Sequence, residues 1–213
     1  GIRDVERSRG LGDVYKRQFT RSVTINRWLV ENGYMTLTKD PGNETGALFK
    51  YVDWSKTRAY SLGFASIYLN LKGREKNGIV NPYEKRPLIN EINSKLKNLK
   101  DNSMNVITKL YVGEDIYEGD YAFEAPDIIL GFEPGYRMSW QNAIGGLTPE
   151  IVFDNKEEWK GDHLVDRSHV PGVLFTNFPI KDHPNLIDIA PTVLALLGLP
   201  HNEMEGKSLY VNE

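Results

Sequence analysis

Asp127-Ile128-Ile129-Leu130-Gly131-Phe132 is a continuous apolar run with a carboxylate at its head and a glycine inside it. A strand that is apolar on both faces needs cover on both, the usual situation of a strand in a parallel sheet flanked by helices. The run therefore predicts a central strand, and Gly172 to Thr176 reads the same way. Val106 to Val112 predicts a further strand, Ser66 to Leu71 alternates as half-buried β, and Arg58 to Leu62 and Tyr34 to Thr38 also have strand character. Helical spacing separates these runs. Ser22 is a candidate cap for a helix with Val23, Ile25, Trp28 and Leu29 on its apolar face and a stop at Asn32-Gly33. Glu84 to Asp101 carries Leu88, Ile92, Leu96 and Leu99 on one stripe, with lysines spread over the rest. A last helix starts near Asp188, tolerates Pro191 in its first turn, and ends at Gly198 with Ile189, Val193, Leu196 and Leu197 as its buried face. Strands alternating with helices favour an α/β class, a layered and mostly parallel sheet flanked by helices, over a sandwich or bundle.

The composition narrows the chemistry. With 213 residues and 40% hydrophobic content, the chain can bury one sizeable core. Its longest apolar stretch, Val193 to Leu197, falls far short of the about 20 residues a membrane span needs. A net charge of -3 argues against a nucleic-acid polymer as partner, because that normally calls for a clustered basic face. With no cysteine, thiolate metal sites and disulfides are excluded, and candidate ligands reduce to His, Asp, Glu and other oxygen donors. Oligomeric state stays open, and so does compartment, with the cytoplasm as the default.

Residues 1–18 stand apart. They have no initiator Met, no apolar periodicity and no signal-peptide core, and Leu11 to Gln18 looks like adapter-derived translation. We read them as a non-native or disordered leader and 19–213 as the domain proper.

Trp159-Lys160-Gly161-Asp162-His163 sets an imidazole beside a carboxylate at a glycine turn. Downstream come Val170-Pro171-Gly172-Val173-Leu174-Phe175-Thr176-Asn177, then Asp188 to Gly198, then Met204-Glu205-Gly206-Lys207-Ser208-Leu209. This order resembles the C-terminal end of the alkaline phosphatase superfamily, closest to its type I phosphodiesterase/nucleotide pyrophosphatase-like branch. The resemblance implies an alkaline-phosphatase-like core that cleaves small-molecule phosphate esters. Two divalent metal ions, commonly zinc, would flank an activated Thr or Ser and neutralise the phosphoryl group. It implies His163 as the last metal ligand and Asp162 as the residue that orients its ring. Phe19 to Leu29 resembles the segment directly after an Asp-His ligand pair. The expectation is therefore a C-terminal part of a longer hydrolase, inactive alone, lacking N-terminal strands, nucleophile and most ligands.

Thr57-Arg58-Ala59-Tyr60 and Ile67 to Glu75 also look like the family, which implies Arg58, Asn70, Lys72 and Arg74 as substrate-binding candidates. Surface cations pairing with Glu75 are the plainer reading of the same arginine and lysine residues. His169, His183 and His201 read as loop histidines and Asp166 as a turn residue. Sulfatase or phosphoglycerate-mutase-like chemistry and a noncatalytic binding domain on the same fold remain alternatives. So does a sugar-binding module using Trp28, Trp54, Trp140 and Trp159, which needs those rings on one open face.

Overall fold

The computed structural model describes residues 17–42, 44–162, 164–170, 172–180 and 183–210, with only the backbone described for Arg17 and Asp162. These residues fall into two compact units divided between Val170 and Pro171. They form a mixed α/β fold of small, mostly antiparallel sheets with four α-helices, which corrects the expectation of a layered, mostly parallel sheet.

In the first unit, β1 (Arg17–Val23) is the middle of one sheet. It runs parallel to β8 (Gly135–Met138) on one side. On the other it is antiparallel to β10 (Gly161–Asp162) and then to β9 (Val152–Asp154). The second sheet has the order β2-β3-β7-β6, built from Ala59–Ser61, Ser66–Leu69, Ile128–Phe132 and Ile107–Val112, and every ladder in it is antiparallel. A two-residue pair, β4 (Lys100–Asp101) with β5 (Met104–Asn105), stands apart from both.

Strand β7 is central and buried at four of its five positions. The apolar run does not encode strand direction, and Ile129 on its second face is only partly buried. The four residues 62–65 that join β2 to β3 leave no room for a crossover of the dozen or more residues a parallel pair requires. That hairpin feeds β7 from one side, and β6 pairs from the other.

Helix α1 (Ile25–Glu31) starts later than its sequence suggests, because Ser22 and Val23 belong to β1. Thr24 occupies the N-cap position without a side-chain capping bond. A remote group supplies one instead: the Asn26 amide donates to Asn142 Oδ1 at 2.7 Å. Asn142 lies in the short helix α3 (Trp140–Ala143), and its Nδ2 donates to Ser61 Oγ at 2.8 Å. The Asn26 side chain bonds the backbone of Ser61 and Gly146, so this buried polar knot ties α1, β2 and α3 together. Helix α2 (Lys85–Leu96) follows an Asn81/Glu84 capping box and buries Leu88, Ile89, Ile92 and Leu96. They join Ile25 and Leu29 of α1 with Ile67, Leu69, Ile128, Leu130 and Phe132 of the sheet in one core. Each such side chain stabilises by about 1.5–3 kcal/mol on burial. Tyr34 to Thr38 forms no strand beyond a bridge between Leu37 and Val52.

The second unit holds α4 (Ile189–Leu196), entered through a turn of 3-10 helix at Leu186–Asp188 with an Asn185/Asp188 capping box. Residues 172–176, read above as a central strand, form none, and Val173 and Phe175 are exposed. An apolar run becomes a strand only where neighbours complete its ladder, and among the described residues none pairs with it. The α4 face of Ile189, Val193, Leu196 and Leu197 is exposed rather than buried. Its opposite side is the packed one, with Pro191 and Thr192 buried.

Candidate functional site

His163 lies outside the described residues, and Asp162 is described by its backbone alone, as the end of β10 opposite Arg17 of β1. The segment that follows is well anchored. Val165 bridges Phe132 at the end of β7, and Asp166 turns its carboxylate back over Gly131. A Cβ at Gly131 would stand 2.0 Å from Asp166 Oδ2, so the glycine inside the apolar strand is what admits this approach. Tyr111 Oη donates to Asp166 Oδ2 at 2.8 Å, while the Ser168 amide and hydroxyl donate to Oδ1 at 2.9 and 2.6 Å. Burial pushes this carboxyl up, but the hydrogen bonds from Ser168 and Tyr111 outweigh it and hold the group below the ordinary carboxylate range.

His169 closes the same turn. Its Nε2 sits 2.9 Å from Thr108 Oγ1 and 3.5 Å from Glu133 Oε2. Hydroxyl and carboxylate thus meet the same ring nitrogen. These contacts tether the 164–170 segment to β6 and to the residue that follows β7. Among the described residues no three His, Asp or Glu side chains converge as a metal-binding group. His183 is exposed with a φ of 60°, and His201 Nδ1 lies 3.1 Å from the Leu199 carbonyl.

The four substrate-binding candidates gather at the opposite end of β7. Arg74 is the hub, with Nη2 2.6 Å and Nη1 3.2 Å from the two oxygens of Asp127, Nε 2.7 Å from Glu75, and Nη2 2.8 Å from the Leu69 carbonyl. Asp127 has no exposed side-chain surface, and it also takes the Leu69 amide at 2.6 Å and Lys85 Nζ at 3.2 Å. Burial works against the Arg74 charge, and the bonds to Asp127 and Glu75 more than offset it. Asn70 is 1% exposed, and its Nδ2 donates to the carbonyls of Trp54, Thr57 and Asn77. Lys72 is exposed and reaches Asn81 Oδ1 at 2.8 Å. Arg58 is half-buried, its charge felt by Glu84 and Glu91. Arg58, Asn70, Lys72 and Arg74 are therefore brought together around the ends of β2 and β3. The strand rise of about 3.3 Å per residue puts Asp127 roughly 16 Å from Phe132 and the segment after position 163.

Sequence reasoning missed Thr108, Tyr111 and Glu133, which act only through contacts distant in the chain. The one local signal was Gly131, a glycine in an otherwise bulky strand.

The motif 204–209 has a comparable explanation in the second unit. Asp188 accepts from the amides of Lys207 and Asn185, and Thr192 Oγ1 accepts from the Leu209 amide. A Cβ at Gly206 would lie 2.1 Å from the Ile187 carbonyl, so only glycine lets this segment lie against the start of α4. Comparison with family profiles, curated proteins and solved structures finds no match. No helix among the described residues is long and apolar enough to cross a membrane.

Proposed function

We propose that this chain is the C-terminal part of a metal-dependent phosphoester hydrolase of phosphodiesterase/nucleotide pyrophosphatase character, inactive by itself. The reading rests on the residues around His163 and their order relative to 188–198 and 204–209, not on sheet architecture. The observation that carries it is the Asp166–Gly131 contact. Together with the Tyr111 and Ser168 bonds it fixes Asp166 against a buried strand, a rigid support three residues along the chain from the proposed ligand. In this reading His163 is one ligand of a centre of two divalent ions, zinc being the expected metal, with Asp162 orienting it. Among the described residues no side chains make up such a centre. Of the three candidate cations Arg74 is held by Asp127 and Glu75, so Arg58 and Lys72 are the proposed contacts for an anionic ester group.

The test uses the chain both as it stands and extended through its upstream coding sequence, assayed with a bis-aryl phosphate and an aryl sulfate in the presence of zinc. The extended protein is expected to cleave the phosphodiester with metal dependence, and His163→Ala to cut turnover by at least about 100-fold. Robust zinc-dependent turnover by the chain alone would overturn the inactive-part reading. Preference for the sulfate, or indifference to His163→Ala, would overturn the rest.

A further inference from the structure

We infer that the first unit carries a binding cleft for an uncharged oligosaccharide, with Trp140 as its stacking platform. The cleft measures about 460 Å³, within the range of small-ligand sites, and lies beside β1 and β9. Trp140 lines it and is 47% exposed, which is unusual for an indole fixed as firmly as this one. The buried guanidinium of Arg137 lies 4.1 Å from its ring centroid, and Phe64 meets it edge-on at 5.2 Å. Ser139 caps helix α3 by accepting from the Asn142 amide, so the backbone under Trp140 is set as well. An aromatic plate held in advance of binding loses little entropy when a ligand stacks on it.

The rest of the lining selects the ligand. Glu150, Asp154 and Glu157 face the cleft against Arg21 and Lys156. Arg21 is already committed, bidentate to Asp101 at 2.7 and 2.8 Å and bonded to Asp154 at 2.5 Å. A phosphate or carboxylate would therefore meet net negative charge. Hydroxyl groups fit: carboxylates accept from them, and the amide of Gln141 stands on the same rim, while Asn155 is bonded to the Trp159 carbonyl and the Glu157 amide. A pyranose offers one apolar C–H face and a polar edge all round, which matches one aromatic plate bordered by hydrogen-bonding side chains.

This cleft is separate from the residues of the hydrolase reading, and its test needs no turnover. The full chain is titrated in EDTA with maltotetraose, cellotetraose and N-acetylchitotetraose, following tryptophan emission and calorimetric heat, with glucose 6-phosphate as the anionic comparison. One of the neutral tetrasaccharides is expected to bind with a Kd of about 0.1–1 mM, weakened about tenfold or more by Trp140→Ala. Because Trp140 covers buried Arg137, the surface variant Gln141→Ala/Glu157→Ala serves as a second arm, with an expected loss of about fivefold. No saturation by any of the three up to about 10 mM overturns the inference. So does tighter binding of glucose 6-phosphate, or unchanged affinity in whichever variant folds by circular dichroism.

Discussion

Helices α2 and α4 are both amphipathic by sequence, yet Leu88, Ile89, Ile92 and Leu96 of the first are at most 2% exposed, while Ile189, Val193 and Leu196 of the second are 37%, 48% and 47% exposed. The two regions carry the same kind of signal with opposite outcomes. Helix α2 lies against a sheet whose central strand is itself apolar, so its stripe is covered as part of one core. Helix α4 instead orders its own segment by polar means. Asp188, Thr192 and Gly206 pin 204–209 beside it, and Leu209 is the large side chain buried there. Periodicity reports which face would gain from leaving water; it does not supply the surface that covers it.

The largest test of this contrast lies at the polar anchor of the first region. Arg74→Ala strips the fully buried Asp127 of its main counter-charge and is expected to cost about 3 kcal/mol, the low end for a broken buried pair because Lys85 remains. Urea denaturation measures it, and a loss near zero would mean that Asp127 is solvated. The two helices can be compared directly. Leu88→Ala should destabilise by about 2–5 kcal/mol and Leu196→Ala by less than about 1. Equal losses would erase the distinction drawn between them.

A smaller effect is expected at Gly131, where alanine would push Asp166 off the strand at a cost of about 1–3 kcal/mol. The Asp166 carboxyl also makes stability depend on acid. Its folded pKa lies below the unfolded value of about 3.9, so its contribution is complete above that value and fades as pH falls towards the folded pKa. Asp166→Asn should flatten the acid limb of the stability curve, and an unaltered slope would remove Asp166 as its source. The finest effect is local. Asp188→Ala should speed hydrogen exchange at the Lys207 and Asn185 amides and leave exchange in α2 untouched.

Part of the fold is legible in the residues alone. Alternation at 66–69 locates β3 and its buried Ile67 and Leu69, and the apolar stripe at 88, 92 and 96 locates α2. Both patterns are local, and burial of one face is all they require. Ser22 misleads because it precedes an apolar helical face just as a cap does. Its place in β1 comes from pairing with Arg137 and Phe153, more than a hundred residues away. In the candidate site, the motif around 163 and the arginine and lysine residues near β3 can be picked out by type and order. Arg74's commitment to Asp127 cannot, since the two are 53 positions apart.

From its own residues the chain specified the strand at 66–69, the apolar run of β7, the buried stripe of α2 and the lack of any thiolate ligand. Tertiary structure alone decided strand direction, which carboxylate meets which cation, and which amphipathic face is covered. The physical reason is one of range. Periodicity and turn chemistry act within a few residues, whereas a ladder partner, a counter-charge or a covering surface comes from distant chain and leaves no mark at the position it completes.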